Sequence, residues 1–117
     1  MIESYKDLEI YKLSYRLALE IHERTKTFPE EERYDLTGQI RRTSKSVPAN
    51  IAEGYGRQSK EEFKRFLKIS LGSCDEMQVH LSFSKDLKYL SEEEYEKLSK
   101  EYDEIGRMLN ITLQKWK

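Results

Sequence analysis

Apolar residues recur every three or four positions through nearly the whole chain, and this spacing constrains the fold more than any other feature. Side chains three or four residues apart lie on the same face of an α-helix. The chain contains two prolines and no run in which β-branched and polar residues alternate, so strands are not predicted. The pattern therefore predicts an all-α protein.

The first two helical segments meet at a proline. The first extends from about residue 6 to residue 27 and ends before Phe28-Pro29, because proline disfavours helical backbone in the residue before it. The second extends from about residue 30 to residue 53 and contains Pro48, so we expect a kink or a break near Ser46.

Glycines and serines mark the other two connections. Gly54-Tyr55-Gly56 is expected to form a flexible corner after the second segment. Ser59 with Glu62, and Ser91 with Glu94, have the spacing of capping boxes and start the third and fourth segments. The apolar face of the fourth segment consists of Tyr95, Leu98, Tyr102, Ile105, Leu109, Thr112 and Trp116.

Short connections between four helices predict an antiparallel up-down four-helix bundle, a single domain over residues 1–117. The first and third segments carry second apolar stripes beside the ones that face the core. These stripes consist of Ile10, Leu13 and Leu17, and of Val79, Phe83, Leu87 and Leu90. Because one molecule is not expected to bury them all, we predict a homo-oligomer.

The charge is unevenly distributed along the chain. Its net charge is −1, but residues 33–68 carry a net +5 between flanks that each carry −3. No stretch has the ~20 apolar residues of a membrane helix, and no signal peptide begins the sequence. A single cysteine, Cys74, excludes an internal disulfide. These features predict a cytoplasmic protein that does not enter a membrane.

The motifs of enzyme active sites are absent. A di-metal site in a helix bundle needs Glu-x-x-His on two helices, whereas His80 follows Glu76 by four residues and His22 has no acid three residues before it. The chain contains neither a phosphate-binding glycine loop nor a nucleophile elbow. We therefore expect no enzymatic activity, no metal or cofactor, and no small-molecule substrate.

A polar ladder follows the second segment beside its apolar face and has expected partners on the third. Its members are Gln39, Arg42, Ser46, Asn50 and Glu53, and the expected partners on the third segment are Ser73 and Glu76. An unpaired buried polar atom costs about 1–3 kcal/mol, so these groups need partners, and we expect Glu76 to accept from Arg41 or Arg42. Two interpretations remain open: a structural network that fixes helix register, and a ligand or recognition site.

A set of basic residues spans the second and third segments. It comprises Arg41, Lys45, Arg57, Lys60, Lys64 and Lys68. Like charges four residues apart on a helix repel each other. Three interpretations are open: a solvated face, a site that binds nucleic-acid phosphates through the combined charge of several subunits, and a site for an acidic protein. Few aromatic residues accompany it, so sequence-specific reading of single strands is not predicted.

Several stretches resemble one protein family over almost the whole chain, from about Tyr5 to Leu113. They are Leu8-Glu-Ile-Tyr11, Thr25-Lys-Thr-Phe-Pro29, Leu36-Thr-Gly-Gln-Ile-Arg-Arg42, Ser46-Val-Pro-Ala-Asn-Ile-Ala-Glu-Gly54 and Phe66-Leu-Lys-Ile-Ser-Leu-Gly-Ser73. The family is that of the four-helix-bundle proteins encoded in intervening sequences of bacterial 23S rRNA. The family is also similar to the accessory variability proteins of diversity-generating retroelements.

The resemblance implies a four-helix bundle that assembles into a homopentameric ring. The retroelement relatives are basic pentamers that associate with reverse transcriptase and RNA or DNA, whereas this chain is slightly acidic. The family's motif positions map onto Arg42, Asn50, Glu53, Gly72, Ser73 and Glu76. The sequence therefore predicts a non-enzymatic oligomer that contacts nucleic acid or a nucleoprotein, with a protein scaffold that binds no nucleic acid as the alternative.

Overall fold

The computed structural model describes residues 1–115 and consists of four α-helices joined by short connections. The helices are α1 (Glu9–Arg24), α2 (Leu36–Gly56), α3 (Lys60–Asp86) and α4 (Glu92–Lys115). Residues 1–115 contain no strand, so the predicted all-α four-helix bundle is confirmed. Trp116 lies outside the described residues, so its place on the α4 face stays a prediction.

The segment ends differ from the predicted ones at the first two helices. Residues Tyr5–Asp7, Thr25–Thr27 and Glu30–Glu32 form separate 3-10 turns. Leu8 has extended backbone and separates the first turn from α1. Phe28 is extended before Pro29, as the sequence predicted. Helix α2 begins at Leu36, six residues later than expected, since the intervening acidic residues form a turn.

Hydrogen bonds between helices give their relative directions. Ser70 donates to the carbonyl oxygen of Val47 at 2.9 Å, and Thr43 donates to Glu76 at 2.9 Å. Residue numbers thus rise along α2 as they fall along α3, so these two helices are antiparallel. Gln78 on α3 donates to the carbonyl oxygen of Ser99 on α4. The bundle measures 42 × 23 × 22 Å.

The core collects apolar side chains from all four helices. Its fully buried members include Ile21, Ile40, Val47, Ile51, Leu67, Met77, Leu81, Leu98, Tyr102, Ile105 and Leu109. Two members of the second apolar stripe on α1, Ile10 and Leu17, are also buried in this core. Helix α1 therefore leaves fewer apolar side chains exposed than predicted. Its large exposed apolar side chains are Tyr15 and Leu19.

Helix α2 continues through Pro48, so the expected break near Ser46 is wrong, and the kink stays a prediction. Proline removes its own N–H donor, yet neighbouring side chains bond the backbone of the same turns. The Asn50 amide donates to the carbonyl oxygen of Ser46 at 2.8 Å, and Ser44 donates to that of Arg41. Val47 and Ile51 are completely buried and hold both halves of the helix against the core.

The predicted flexible corner at residues 54–56 is also wrong, because α2 runs to Gly56. The chain turns instead at residues 57–59, where Gln58 has a φ of 57°. Gly54 serves close packing: a Cβ atom there would lie 2.7 Å from Cβ of Phe66 on α3. The glycine is required by the approach of two helices rather than by a turn.

Candidate nucleic-acid interface and polar network

Three lysines, which we call the lysine ladder, are spaced four residues apart along the first half of α3. They are Lys60, Lys64 and Lys68. Four helical residues rise about 6 Å, so the ladder extends about 12 Å along the helix. Lys68 is exposed and Lys64 is half-buried. Within residues 1–115, neither Lys64 nor Lys68 has a carboxylate within 4.0 Å.

The arginines beside the ladder are paired with acids. Nε of Arg57 lies 3.0 Å from a carboxylate oxygen of Glu53, and its Nη1 lies 3.8 Å from Glu62. Arg65 donates to Glu62 at 2.9 Å, and the guanidinium groups of both arginines lie over the Phe66 ring. The Arg65 hydrogen bond lowers the pKa of the Glu62 carboxyl. Arg57 is therefore locally neutralised, and Glu53 contacts Arg57 at the end of α2.

Arg41 and Lys45 lie apart from the ladder, on the side of α2 that faces α1. Nε of Arg41 donates to the Thr25 hydroxyl at 2.7 Å, and its Nη2 donates to the carbonyl oxygen of His22 at 3.1 Å. A guanidinium at a helix C-terminus satisfies carbonyl groups that have no partner within the helix. The structure thus divides the six predicted basic residues into separate groups.

Within residues 1–115, the predicted polar ladder joins α2 to α3 at Ser46. The Ser46 hydroxyl donates to the carbonyl oxygen of Thr43 at 2.6 Å and lies 2.7 Å from the Ser73 hydroxyl. Asn50 bonds back to Ser46 within α2. Arg42 is exposed, and its guanidinium lies near Gly38. The network therefore centres on Ser46 and Ser73 rather than on the arginine.

Glu76 has different partners from the expected arginine. Its Oε2 accepts from the Thr43 hydroxyl at 2.9 Å and lies 3.0 Å from Nε2 of His80. His80 is buried, and its Nε2 lies 3.3 Å from the Thr43 hydroxyl. The Thr43 hydrogen bond, followed by that of His80, lowers the pKa of the Glu76 carboxyl. The sequence analysis did not identify Thr43 or His80 as partners of Glu76, although the four-residue spacing of Glu76 and His80 on one helix was a signal for the second.

The side chains of this network are arranged for hydrogen bonding within the protein. In a nucleophilic triad the acid and the nucleophile bind opposite nitrogens of the histidine, whereas Glu76 and Thr43 both contact Nε2 of His80. Burial raises the pKa of the Cys74 thiol to about 12, so it is not a thiolate near neutral pH.

Residues 1–115 contain no group of three or more metal-ligating side chains. None of the described helices combines the length and apolar character needed to cross a membrane.

Comparisons with known proteins agree on one family. The family model for "23S rRNA-intervening sequence protein" matches residues 6–111. No protein with curated annotation matches the chain. A crystal structure from Bacteroides thetaiotaomicron, described as a protein with unknown function from the S23 ribosomal protein family, has 26% sequence identity and a TM-score of 0.83. The match covers 90% of this chain and 95% of that one. The chain therefore belongs to the 23S rRNA-intervening sequence protein family.

Proposed function

We propose that this chain is a non-enzymatic, cytoplasmic accessory factor that assembles into an oligomer, a pentamer, and binds nucleic acid or a nucleoprotein. The observation that carries the proposal is the contrast within the basic region. Lys64 and Lys68 have no carboxylate within ion-pair distance in residues 1–115, whereas Arg57 and Arg65 beside them are paired. Cations without a carboxylate partner, such as these two lysines, are the groups that exchange small counterions for phosphates.

We propose the lysine ladder as the contact surface, because two of the other basic residues are already engaged within the protein. Arg41 is engaged with the end of α1, and Arg57 is neutralised by Glu53 and Glu62. The net +5 of residues 33–68 is small for one molecule. Several copies in a ring would sum their fields, and a summed field concentrates a polyanion far more than one ladder does.

The test measures binding of labelled RNA and DNA duplexes and single strands as a function of salt. At about 50 mM salt the wild-type protein is expected to bind, and the affinity should fall steeply as salt is added. Replacing all three ladder lysines with glutamine should weaken binding. The slope of log K against log[salt] should become shallower by about 0.7–0.9 for each phosphate that the protein no longer neutralises.

A matched control removes the same charge elsewhere: Lys6, Lys26 and Lys100, all exposed, are replaced with glutamine. This control should retain binding, and both variants should keep the helical circular dichroism of the wild type. Failure of the wild type to bind any nucleic acid at low salt contradicts the proposal. Equal weakening in the two variants would show that overall charge, not the ladder, is responsible.

A protein scaffold without nucleic-acid binding is the second candidate, and exposed apolar side chains favour it. Tyr15, Leu19, Val79, Phe83 and Leu87 are all at least 48% exposed. A scaffold predicts capture of a defined protein partner that survives nuclease treatment and high salt. Nucleic-acid-mediated capture would disappear under both treatments.

A further inference from the structure

A groove between α1 and α2, which we call the α1–α2 groove, has a volume of about 610 Å³. Three tyrosines, Tyr5, Tyr11 and Tyr15, line it, and adjacent rings contact each other at centroid distances of 4.9 and 5.7 Å. The α2 side is formed by small or short residues that include Pro48, Ala49 and Ala52. At one end of the groove lie His22, Arg41 and Lys45, so this end is basic.

A second apolar surface lies on α3, and we call it the α3 stripe. Its apolar members are Ile69, Val79 and Phe83 on α3 and Leu87 directly after the helix, which are 41–57% exposed. These residues share one helical face with Gly72 and Glu76. A Cβ atom at Gly72 would have no neighbour within 4 Å, so the stripe has open space in its middle. Unlike the groove, the stripe carries a negative charge at Glu76.

We infer that the α3 stripe of one copy packs into the α1–α2 groove of a second copy. This inference rests on the proposed oligomer and names the two surfaces that form its interface. The surfaces are complementary in shape and charge: the stripe is a convex row on one helix, and the groove is a trough between two helices. Glu76 supplies the anion: its side chain is 57% exposed, although it also contacts Thr43 and His80 of its own chain. The exposed Lys45 supplies the cation, beside Arg41, which keeps its charge while it donates to the end of α1.

The alignment of α2 with α3 places these charges at the same height along the bundle. Thr43 bonds Glu76 and Val47 bonds Ser70 within one chain, so Glu76 lies level with Thr43 and Ile69 lies near the level of Pro48. In a ring whose bundle axes are parallel, residues that meet across an interface share the same height. Glu76 of one copy then lies between the levels of Arg41 and Lys45 of the next, and Ile69 meets the apolar part of the groove.

The two surfaces are different patches of one chain, so the contact is heterologous. A heterologous contact repeats from copy to copy and closes a ring when the rotation between copies permits it. A two-fold dimer would instead use the same patch on both partners. This difference makes the inference testable by complementation between variants.

The experiment measures assembly mass by light scattering for Leu19→Asp in the groove, for Val79→Asp in the stripe, and for their mixture. Leu19 and Val79 are 58% and 53% exposed, so their replacement should not unfold the chain. Each variant alone is expected to give single chains of 14.0 kDa. The mixture should give a species of twice that mass, because the intact groove of one variant receives the intact stripe of the other and neither can extend further.

Ile111→Asp is the matched control, since Ile111 is 39% exposed on α4 outside both surfaces. It should assemble as the wild type does. Tyr15→Asp and Ile69→Asp form a second complementing pair, used if either first variant loses its helical circular dichroism. A mixture that forms no dimer, or a single variant that still assembles fully, overturns the inference.

The outcomes also separate this inference from the proposed function. A wild-type protein that assembles regardless of substitutions in groove or stripe keeps the proposed oligomer but contradicts these interface surfaces. A wild-type protein that is a single chain at micromolar concentration contradicts both. Nucleic-acid binding by that single chain would show that the lysine ladder acts without assembly.

Discussion

The contact between α2 and α3 differs in kind from the contact between α1 and α4. The first is close and buried: Gly54 leaves room for the Phe66 side chain, and the buried hydroxyl of Ser70 donates to the Val47 carbonyl oxygen. The second is bridged at its surface by ion pairs. Lys97 lies 2.8 Å from Glu20, and Arg24 lies 3.4 Å from Glu94.

The difference shows which contacts fix the relative position of two helices. A contact made by a buried hydroxyl or by a glycine fits only one register of the two helices. Any shift along the helix axis leaves a polar group unpaired or produces a clash. Long charged side chains at the surface can follow a shift and remain paired or solvated. We therefore expect the α2–α3 contact to be sensitive to small changes and the α1–α4 contact to be tolerant.

Gly54→Ala should have the largest effect on stability. The added Cβ would lie 2.7 Å from Cβ of Phe66, and overpacking of this kind costs about 1–3 kcal/mol. Gly106→Ala on α4 is the control, since its Cβ would meet Leu71 at an ordinary 3.7 Å. Because alanine favours a helix over glycine, the control should gain stability by about 0.5–1 kcal/mol. Urea denaturation at fixed protein concentration measures both, and equal changes would contradict close packing at Gly54.

Thr43→Val should have the next largest effect. It preserves the side-chain shape but removes the hydroxyl that donates to Glu76 and lies beside Nε2 of His80. The loss of a typical hydrogen bond costs about 0.5–1.5 kcal/mol. Thr43→Ser retains the hydroxyl and should retain the Glu76 hydrogen bond. Thermal melting with no difference between wild type and Thr43→Val would show that this bond contributes nothing to stability.

Glu76→Gln should change the pH dependence of stability. Since the folded protein lowers the pKa of this carboxyl, the ionised form is favoured by folding. The contribution of the ionised carboxylate to stability is present above the pKa of this group in the unfolded chain and is lost as pH falls through the lower folded value. Melting temperatures between about pH 3 and 6 should therefore decline less steeply in Glu76→Gln than in the wild type.

Asp75→Asn is the control for that pH profile, because Asp75 is an exposed carboxylate one residue away. Its profile should follow that of the wild type. The Glu76 side chain is 57% exposed, so solvent screens its interactions and the expected change is modest. A Glu76→Gln profile parallel to the wild-type one would contradict the proposed linkage.

Lys97→Gln should have the smallest effect, below about 1 kcal/mol, because its ion pair with Glu20 joins α4 to α1 at the surface. The Lys97 side chain is 57% exposed. Whatever destabilisation occurs at low salt should be smaller at high salt. Chemical denaturation with urea at two salt concentrations measures this, and a destabilisation as large as that of Gly54→Ala would contradict the comparison of the two contacts.

The sequence predicted the helices better than it predicted their connections. Apolar spacing is a local property of a helix, so four helices and most of their buried faces could be inferred from it. The prediction of a corner at residues 54–56 was wrong, because a glycine that is needed for a turn cannot be distinguished in the sequence from a glycine that is needed for close packing. Only the position of Phe66 on α3 distinguishes the two uses.

Some of the contacts among the candidate residues were predicted. Ser46 and Ser73 do meet, and the Lys64–Lys68 pair does lie on one helix. The bond from Thr43, rather than from Arg41 or Arg42, could not be predicted, because the relative height of α2 and α3 along the bundle decides which side chain lies beside Glu76. Thr43 and His80 stand at that height, whereas Arg41 reaches the end of α1.

By itself, the sequence determined the helices, the apolar faces and the uneven charge, since each depends on residue type and spacing along one chain. The tertiary structure alone decided which cations are neutralised, which apolar side chains remain exposed, and which hydroxyl donates a hydrogen bond to Glu76. These properties depend on distances between residues far apart in the chain. Such distances are set when the helices pack, and no local pattern encodes them.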